Sequence, residues 1–530
     1  MMSIKNIIGA GLIVSIITTS LSCTKLDPVP YSVVTSEVFW SDPAQAANAV
    51  APVYSALNGF ANGENMRLAN ATGGEIVDPR NFGGGAYLER MWKHTWSAGD
   101  GSLNQMWNTF YRGVTSANFI MSQMNALDKN KPADIDKLNA HLKVMRAFFL
   151  YHAMDNFGRI PLDTSFNSSP ASIKSNTRQE AFNFIEKELL QNIPLLDNKS
   201  NSNYGRANRQ VGYTLLAQLY INAQVYTGTP RWADAIKACD SVINSGFYRL
   251  SPNYFNNFAF DNHNHKDENI LVAPKDKVLN NFPGMMETIH PNGGRAVGIT
   301  GSPWNGFCAT ADMYNKYNAE DKRIRQWLVG IQREARGTRV IDDNYNPGDT
   351  IFVNQAARTR PLSYNLNVIS FNRNDYPNTD SFDMAGARNV KYYPEQGSSG
   401  ADMGNDLVMM RLADVILMKV EAEFRLNGRV TSVALFNSIR ERAYGNASHN
   451  IASPTLDDIY NERRRELMWE GYSRRDGIRF EVAMPGTKYF SAARAPGKSE
   501  DPADGHRRVF PIPAAQLSAN TNLTQNPGYN

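Results

Sequence analysis

Apolar residues recur at helical spacing through much of the first half of this 530-residue chain. The cleanest pattern is Trp232, Ala235, Ile236, Cys239, Val242 and Ile243, which fall on one face of a helix predicted over 232–245. Phe39, Ala46, Ala49, Val50, Val53, Tyr54 and Leu57 predict an earlier helix that Ser36 can cap. Further helices are predicted over 103–126, 135–155, 178–190 and 210–226, and the Asn- and Gly-rich stretch 59–85 reads as loop. Thr227-Gly228-Thr229-Pro230 joins the last two helices into a hairpin. Met410, Ala413, Leu417, Val420 and Phe424 form another apolar face, Gly428 ends that helix, and Val430–Tyr444 returns. Repeated hairpins of this kind predict tetratricopeptide-like units, which tolerate degenerate sequence.

Between about 247 and 402 the pattern breaks down. Gly, Pro, Asn and aromatic residues dominate, with short apolar runs such as Ile270-Leu271-Val272 and helical stretches near 309–317 and 321–329. Irregular chain of this length in a folded protein usually carries function. The fold class is therefore mostly α: tetratricopeptide-like hairpins form a scaffold, and long irregular loops with a few short strands pack on it. The expected division is a leader at 1–22, a helical region at 23–250 and a C-terminal region at 251–530, the last two packed as one body.

Glu462 to Phe480 departs from ordinary amphipathic patterning. Glu462, Glu466 and Glu470 are one turn apart, Arg463, Arg464 and Arg465 lie among them, and Leu467, Met468 and Trp469 follow. The first nine residues predict a helix that Gly471 stops. A charge run usually means a solvated face. Here the large apolar neighbours favour paired, partly buried ions that lock the helix end against its surroundings.

Composition narrows the function. The formal net charge is +4, about +3 once Lys5 leaves with the leader, which is too little over this length for a nucleic-acid footprint. Charged residues make up 20% and aromatic residues 11%, a balance that suits neutral ligands such as carbohydrate better than anions. Three cysteines make no disulfide framework: Cys239 belongs to an apolar helix face and Cys308 has no visible partner. Lys5, the apolar stretch from Ile7 to Ile17 and the small residues before Cys23 form a secretory leader. Cys23 after Ser20-Leu21-Ser22 resembles a lipoprotein cleavage site, although Ser20 stands where a large apolar residue is usual. A lipidated Cys23 would hold the chain stably to a membrane through several acyl chains, with Thr24–Tyr31 as an extended tether.

Three motifs in order carry a family resemblance. Glu462, Arg463, Glu466, Leu467, Glu470, Gly471, Asp476, Arg479 and Phe480 match the C-terminal signature of the SusD/RagB family of surface glycan-binding lipoproteins, with Ser473 and Gly477 replacing its usual arginine and leucine. Arg411-Leu412-Ala413-Asp414 through Glu421-Ala422 resembles a second stretch. Phe510-Pro511-Ile512-Pro513, then Asn520, Asn522, Leu523, Gln525, Asn526, Pro527, Gly528 and Tyr529, resembles the family's closing tail. With Trp107, Tyr111, Ala117 and Asn118, the resemblance spans nearly the whole mature chain. It implies a lid-like protein on the outer-membrane surface that captures glycan and hands it to a SusC-like TonB-dependent transporter.

Candidate chemistry favours binding over catalysis. No Gly-x-Ser-x-Gly elbow, His-Glu-x-x-His or phosphate loop occurs, and nothing singles out the paired carboxylates of a glycosidase. His263 and His265, flanked by Asp261, Asp267 and Glu268, are the cation candidate, but their spacing matches no complete ligand set and reads as a polar loop. No metal or cofactor is expected. Sugars present an apolar face and a ring of hydroxyls, which flat aromatic rings and amide, guanidinium or backbone groups can meet. Two loops hold such sets: Asp78–Phe82 leading to Tyr87, Trp92, Trp96, Asp100 and Asn104, and Gly301–Phe307 around Trp304. The resemblance places the ligand surface on these two regions. Trp96 and Trp304 are therefore the expected stacking residues, with Arg80 and Asn104 as hydrogen-bonding partners. Trp92 and Trp96, four apart, equally suit a core, and Trp107 is assigned there. The alternatives are a glycan-active enzyme and a scaffold that binds peptide or protein.

Overall fold

The protein is described by a computed structural model that covers Gln45 and residues 48–80, 86–127, 134–169 and 172–529. The leader, Cys23, the tether and the cap at Ser36 lie outside the described residues, as do Asn81 and Phe82. Helix α1 (Ala51–Ala61) buries Val53, Leu57 and Phe60. It leads into α2 (Glu64–Thr72) and α3 (Tyr87–Lys93). The long helices are α4 (Gly101–Asn125), α5 (Ile135–Phe157), α6 (Arg178–Asn192) and α7 (Arg209–Ile221). A short α8 (Ala223–Thr227) follows a break at Asn222 that splits the helix expected over 210–226, and α9 (Trp232–Ile243) comes next. Thr177 and Glu180 form a reciprocal capping box at the start of α6, and the Asn208 side chain accepts from the Val211 N–H at the start of α7.

α4 packs on α1 and α5, α5 on α6, α7 on α9, and α9 on α10 (Leu412–Asn427), which gives the mostly helical hairpin scaffold that the periodicity predicts. α5 is buried on nearly all sides from Val144 onward. Its one buried arginine, Arg146, reaches Glu188 on α6 and Asn118 on α4. α10 ends at Gly428, whose positive φ only glycine adopts easily. α11 (Val433–Tyr444), α12 (Leu456–Glu466) and α13 (Ser473–Ala483) complete the body. The main apolar core draws residues from before and after residue 250 alike. Among the described residues no helix is long and apolar enough to cross a membrane.

Strands are few and short. β1 (Asn269–Ala273) pairs antiparallel with Leu407–Arg411, so that Asn269 faces Arg411 at the start of α10, and every residue of both strands is buried. Three further two-stranded pairs join Trp327–Leu328 to Arg388–Asn389, Gly330–Ile331 to Ser363–Tyr364, and Arg333–Ala335 to Pro347–Thr350. The helices expected near 309–317 and 321–329 contract to one turn at Ala311–Tyr314 and a 3-10 turn at Lys322–Gln326.

α2 corrects the loop expected over 59–85. Its sequence is polar, but Leu68 and Ala71 are buried, and its end meets the start of α13 closely. A Cβ on Gly73 would stand 2.1 Å from Ser473 Oγ and 2.5 Å from Arg474 N, so only glycine fits there.

The charged run forms a buried ion network. Its helix stops at Glu466, one turn earlier than expected, because side chains take the last carbonyls: Arg411 and Tyr254 donate to Glu466 O, and Tyr317 donates to Arg465 O. Trp469 then adopts φ 61°, held by its N–H on Glu75 at 2.9 Å. Arg411 bonds Glu268 at 2.8 Å and Glu470 at 2.7 Å, and also Glu466. Arg323 bonds Asp321 at 2.7 Å and both Glu462 and Glu466 at 2.8 Å. Arg463 joins Asp414 to Asp476, and Arg479 joins Glu421 to Asp476. Burial works against the Glu466 carboxylate, yet Arg442, Arg411 and Arg323 hold its pKa well below the ordinary value.

Removing one partner of such a network leaves an uncompensated buried charge. Glu466→Gln should cost about 3–5 kcal/mol in urea unfolding, whereas breaking the exposed Lys488–Glu500 pair with Lys488→Ala should cost under about 1 kcal/mol. Equal losses would contradict the buried network. Burial also opposes ionised Glu462, but Arg323, Arg465 and Arg440 outweigh it and lower its pKa from 4.5 to about 2. Since the folded value lies below the unfolded one, this stabilisation is complete above about pH 5 and is lost as pH falls toward about 2. The thermal midpoint should fall across that window, and Glu462→Gln should flatten the fall. A midpoint indifferent to pH there would contradict it.

Candidate functional site

The four residues expected to meet a ligand fall in two places. Trp304 and Arg80 come together. The Gly301–Phe307 segment is pinned from beneath by backbone bonds: Trp304 N–H donates to Met286 O at 2.6 Å, Asn305 N–H to Ile289 O at 2.9 Å, and the Gly306 and Phe307 N–H groups both to Glu287 O at 2.8 Å. Asn305 takes a left-handed φ of 55°, and Gly301 lies so close to Ser399 that a Cβ would stand 2.2 Å from its carbonyl oxygen. Pro303 is buried while Trp304 stays 43% exposed, so this segment lifts one indole out of a rigid base.

Arg80 supplies much of that rigidity. Its Nε donates to Asn305 O at 2.6 Å, Nη2 to Gly306 O at 2.9 Å, and Nη1 to Phe382 O at 3.1 Å and Ala385 O at 3.2 Å. The guanidinium thus ties the Trp304 loop to the 382–385 segment and is committed to protein carbonyls, which corrects its expected place as a ligand contact. Arg388, fully buried, adds a bond from Nη2 to Asn305 Oδ1 at 3.0 Å. Burial and the positive charge of Arg80 push Arg388 down to about 10. His290 nearby is pushed down to about 4 by burial and by Arg388 and Arg80, so it is neutral at physiological pH.

Trp96 and Asn104 lie elsewhere, against the C-terminal tail. Trp96 is 2% exposed, its indole N–H donates to the Tyr529 hydroxyl at 2.8 Å, and its ring meets the edge of Phe510. Its faces are closed to a sugar, so the expectation of a stacking residue is corrected: Trp96 fastens the tail to the body. Trp92 is likewise core, with its indole N–H on Pro496 O. Asn104 accepts from Gln516 Nε2 at 2.9 Å through its amide oxygen. The signal for both roles was available only as pairing with a distant tail, which spacing along the chain does not reveal.

The cation candidate is dispersed. Glu268 is fully buried and bonded to Ser251 N–H, Asn257, Arg411 and Arg442, leaving His265 3.8 Å from Asp261 on a part-exposed turn. Among the described residues no cluster of three or more metal-ligating side chains occurs. Cys239 and Cys308 are both buried and unbridged. A cavity of about 100 Å³ lies between α2 and this region, lined by Met66, Arg67, Met285, Glu287, Phe307 and Trp469.

The chain resembles known proteins along almost all of its length. One family profile, described as the SusD family, matches residues 268–529, and another, described as starch-binding associating with outer membrane, matches 26–221. The starch-binding protein SusD of Bacteroides thetaiotaomicron is 27% identical over 435 residues, covering 78% of this chain and 76% of that one. A SusD superfamily protein from Parabacteroides distasonis superposes with a TM-score of 0.72 at 18% identity, covering 92% and 99% of the two chains. Surface glycan-binding protein A from Bacteroides thetaiotaomicron, solved in complex with laminarihexaose, superposes at 0.67 with 18% identity, covering 91% and 99%. The structural likeness establishes the shared fold. With that fold, two profiles that between them reach from residue 26 to residue 529, and all three expected motifs in place, the chain belongs to the SusD/RagB family.

Proposed function

We propose that this protein captures oligosaccharide or polysaccharide at the bacterial outer surface and passes it to a SusC-like TonB-dependent transporter, binding the glycan without breaking a bond. The observation that carries this reading is Trp304, an indole left 43% exposed on a loop that seven hydrogen bonds named above pull inward, three donated by Arg80 and Arg388 and four by the loop's own backbone amides to the carbonyls beneath it. Exposing a tryptophan costs burial energy, and a rigid base under it spares a ligand the entropy of ordering the loop. A flat apolar ring suits the apolar face of a neutral sugar. The starch-binding name of a relative and the laminarihexaose complex of a structural neighbour support the same ligand class.

The anchor belongs to the same reading. Cys23 would carry the acyl chains, several of which bind a membrane stably where one does so only marginally. The family profile's description as associating with outer membrane supports that location. Modest affinity from a few stacking and hydrogen-bonding contacts suits release to a transporter.

The test is native affinity electrophoresis of the chain from Thr24 onward through gels holding starch, laminarin or xyloglucan, with assay for released reducing ends. Retardation without product is expected, and Trp304→Ala should weaken it by about tenfold with the thermal midpoint kept. Unchanged retardation in the folded variant would remove Trp304 from the site, and released sugar would overturn the non-catalytic reading. Arg80→Met should act one step removed. It frees the carbonyls of Asn305, Gly306, Phe382 and Ala385, costs about 1–3 kcal/mol of stability, and weakens binding although Trp304 is present. Full affinity in Arg80→Met would show that the loop does not need this clamp.

A further inference from the structure

Four aromatic side chains are strongly exposed among the described residues: Trp304, Phe247, Phe119 and Phe166. The last two meet each other. Phe119 and Phe166 are each 42% exposed, with ring centroids 4.8 Å apart at 57°. They stand at one end of a groove of about 820 Å³, several times the volume of the cavity beside the Trp304 loop. We propose that this groove is a second oligosaccharide-binding site, separate from Trp304; the proposal rests on the reading of the protein as a glycan binder.

The floor of the groove is one ridge of α4. Trp107, Tyr111, Thr115 and Phe119 are spaced four apart and so line up along one face of the helix, over about 18 Å at the rise of an α-helix. Trp107 is 4% exposed and backs Tyr111 at 4.8 Å with planes 29° apart, so the aromatic surface of the ridge comes from part-exposed Tyr111 and from Phe119, with the Thr115 hydroxyl between them. The rim is made mostly of amides and hydroxyls, including Asn108, Ser116, Ser165, Gln516 and Asn520, with Arg112 as its one cation. Its one carboxylate, Asp163, is engaged by Ser165 N–H at 3.0 Å and Ser168 Oγ at 2.7 Å. Aromatic surface with amides, hydroxyls and a single guanidinium is the chemistry of a sugar site, and one charge of each sign selects no strongly charged ligand. The volume falls within the roughly 300–1,000 Å³ of small-ligand clefts.

The walls come from three distant parts of the chain and are braced. Tyr111 OH donates to Pro161 O at 3.0 Å and Asn118 Nδ2 to Asp163 O at 2.9 Å, which holds the 161–168 loop on α4. Gln516 Nε2 donates to Asn104 at 2.9 Å and to Asn108 at 3.0 Å, and Asn520 Nδ2 donates to Ile173 O at 2.9 Å, which holds the tail across the other side. A groove kept open by its own hydrogen bonds asks little ordering of a ligand. Two sites on one chain would also favour long polysaccharide over short fragments, because a chain held at one site binds the other at high effective concentration.

The experiment uses Phe119→Ala/Phe166→Ala in the wild-type and Trp304→Ala backgrounds, in affinity gels containing starch, laminarin or xyloglucan. Both phenylalanines are half-exposed, so the fold should persist, with thermal midpoints checking it. The expected result is that the pair weakens retention by about fivefold or more and removes whatever retention Trp304→Ala leaves. Retention reduced by Trp304→Ala but untouched by the pair would overturn the groove and leave the glycan reading standing. A wild type that none of the three glycans retains would overturn both. Amide exchange of the 161–169 segment and the second half of α4 gives a readout on the unmutated chain. The retaining glycan should slow it, and no change at saturation would overturn the proposal.

Discussion

Arg411 and Glu466 are the pair on which the rest of the molecule depends. Arg411 stands where the strand Leu407–Arg411 turns into α10, and Glu466 ends α12, so their contact joins the strand pair, the hairpin scaffold and the final helices at one buried point. Arg323 brings the irregular middle of the chain to the same glutamate, and Arg442 brings α11. Removing so many ions from water is expensive and stabilises only when every charge is matched. The network therefore acts less as a source of stability than as a condition on register: a helix shifted by one residue would leave several buried charges unpaired.

That condition reaches the Trp304 loop. The turn after Glu466 docks on α2 through Trp469 N–H on Glu75 and Gly471 N–H on Asn70 Oδ1. Downstream of α2, Val77 pairs with Cys308 by backbone bonds in both directions, and Arg80 clamps the Trp304 loop three residues later. An unbroken path of backbone and buried polar contacts thus runs from the ion network to the exposed indole. For the proposed sugar platform this matters, because a shallow aromatic contact gains little from any single interaction and benefits from a base already ordered.

The scaffold was legible in the sequence because it rests on period and punctuation. Trp232 to Ile243 declares a helix by spacing, Gly428 declares an end, and the Glu462–Phe480 run declares paired ions because charges beside Leu467 and Trp469 have few other uses. What could not be read depends on partners far along the chain. α2 is polar and flanked by glycines, and it is helical because α13 and the turn at Trp469 pack on it. α12 stops at Glu466 because Arg411 and Tyr254 take its last carbonyl. Trp96 looked like a loop tryptophan and is buried by Tyr529 and Phe510 from the other end of the chain, whereas Trp304 looked much the same and is exposed. The groove along α4 was not read from the sequence: Trp107, Tyr111 and Phe119 share a helical face, but the 161–168 loop and the tail that complete it come from elsewhere.

In the proposed function a rigid scaffold presents a preformed sugar platform at Trp304. Amide exchange with and without a saturating oligosaccharide of the class that the affinity gels retain tests it most directly. Exchange should slow in the 301–307 loop and stay unchanged in α10, α12 and α13, because the ion network is already set. Protection spread through those helices, or none at 301–307, would contradict it.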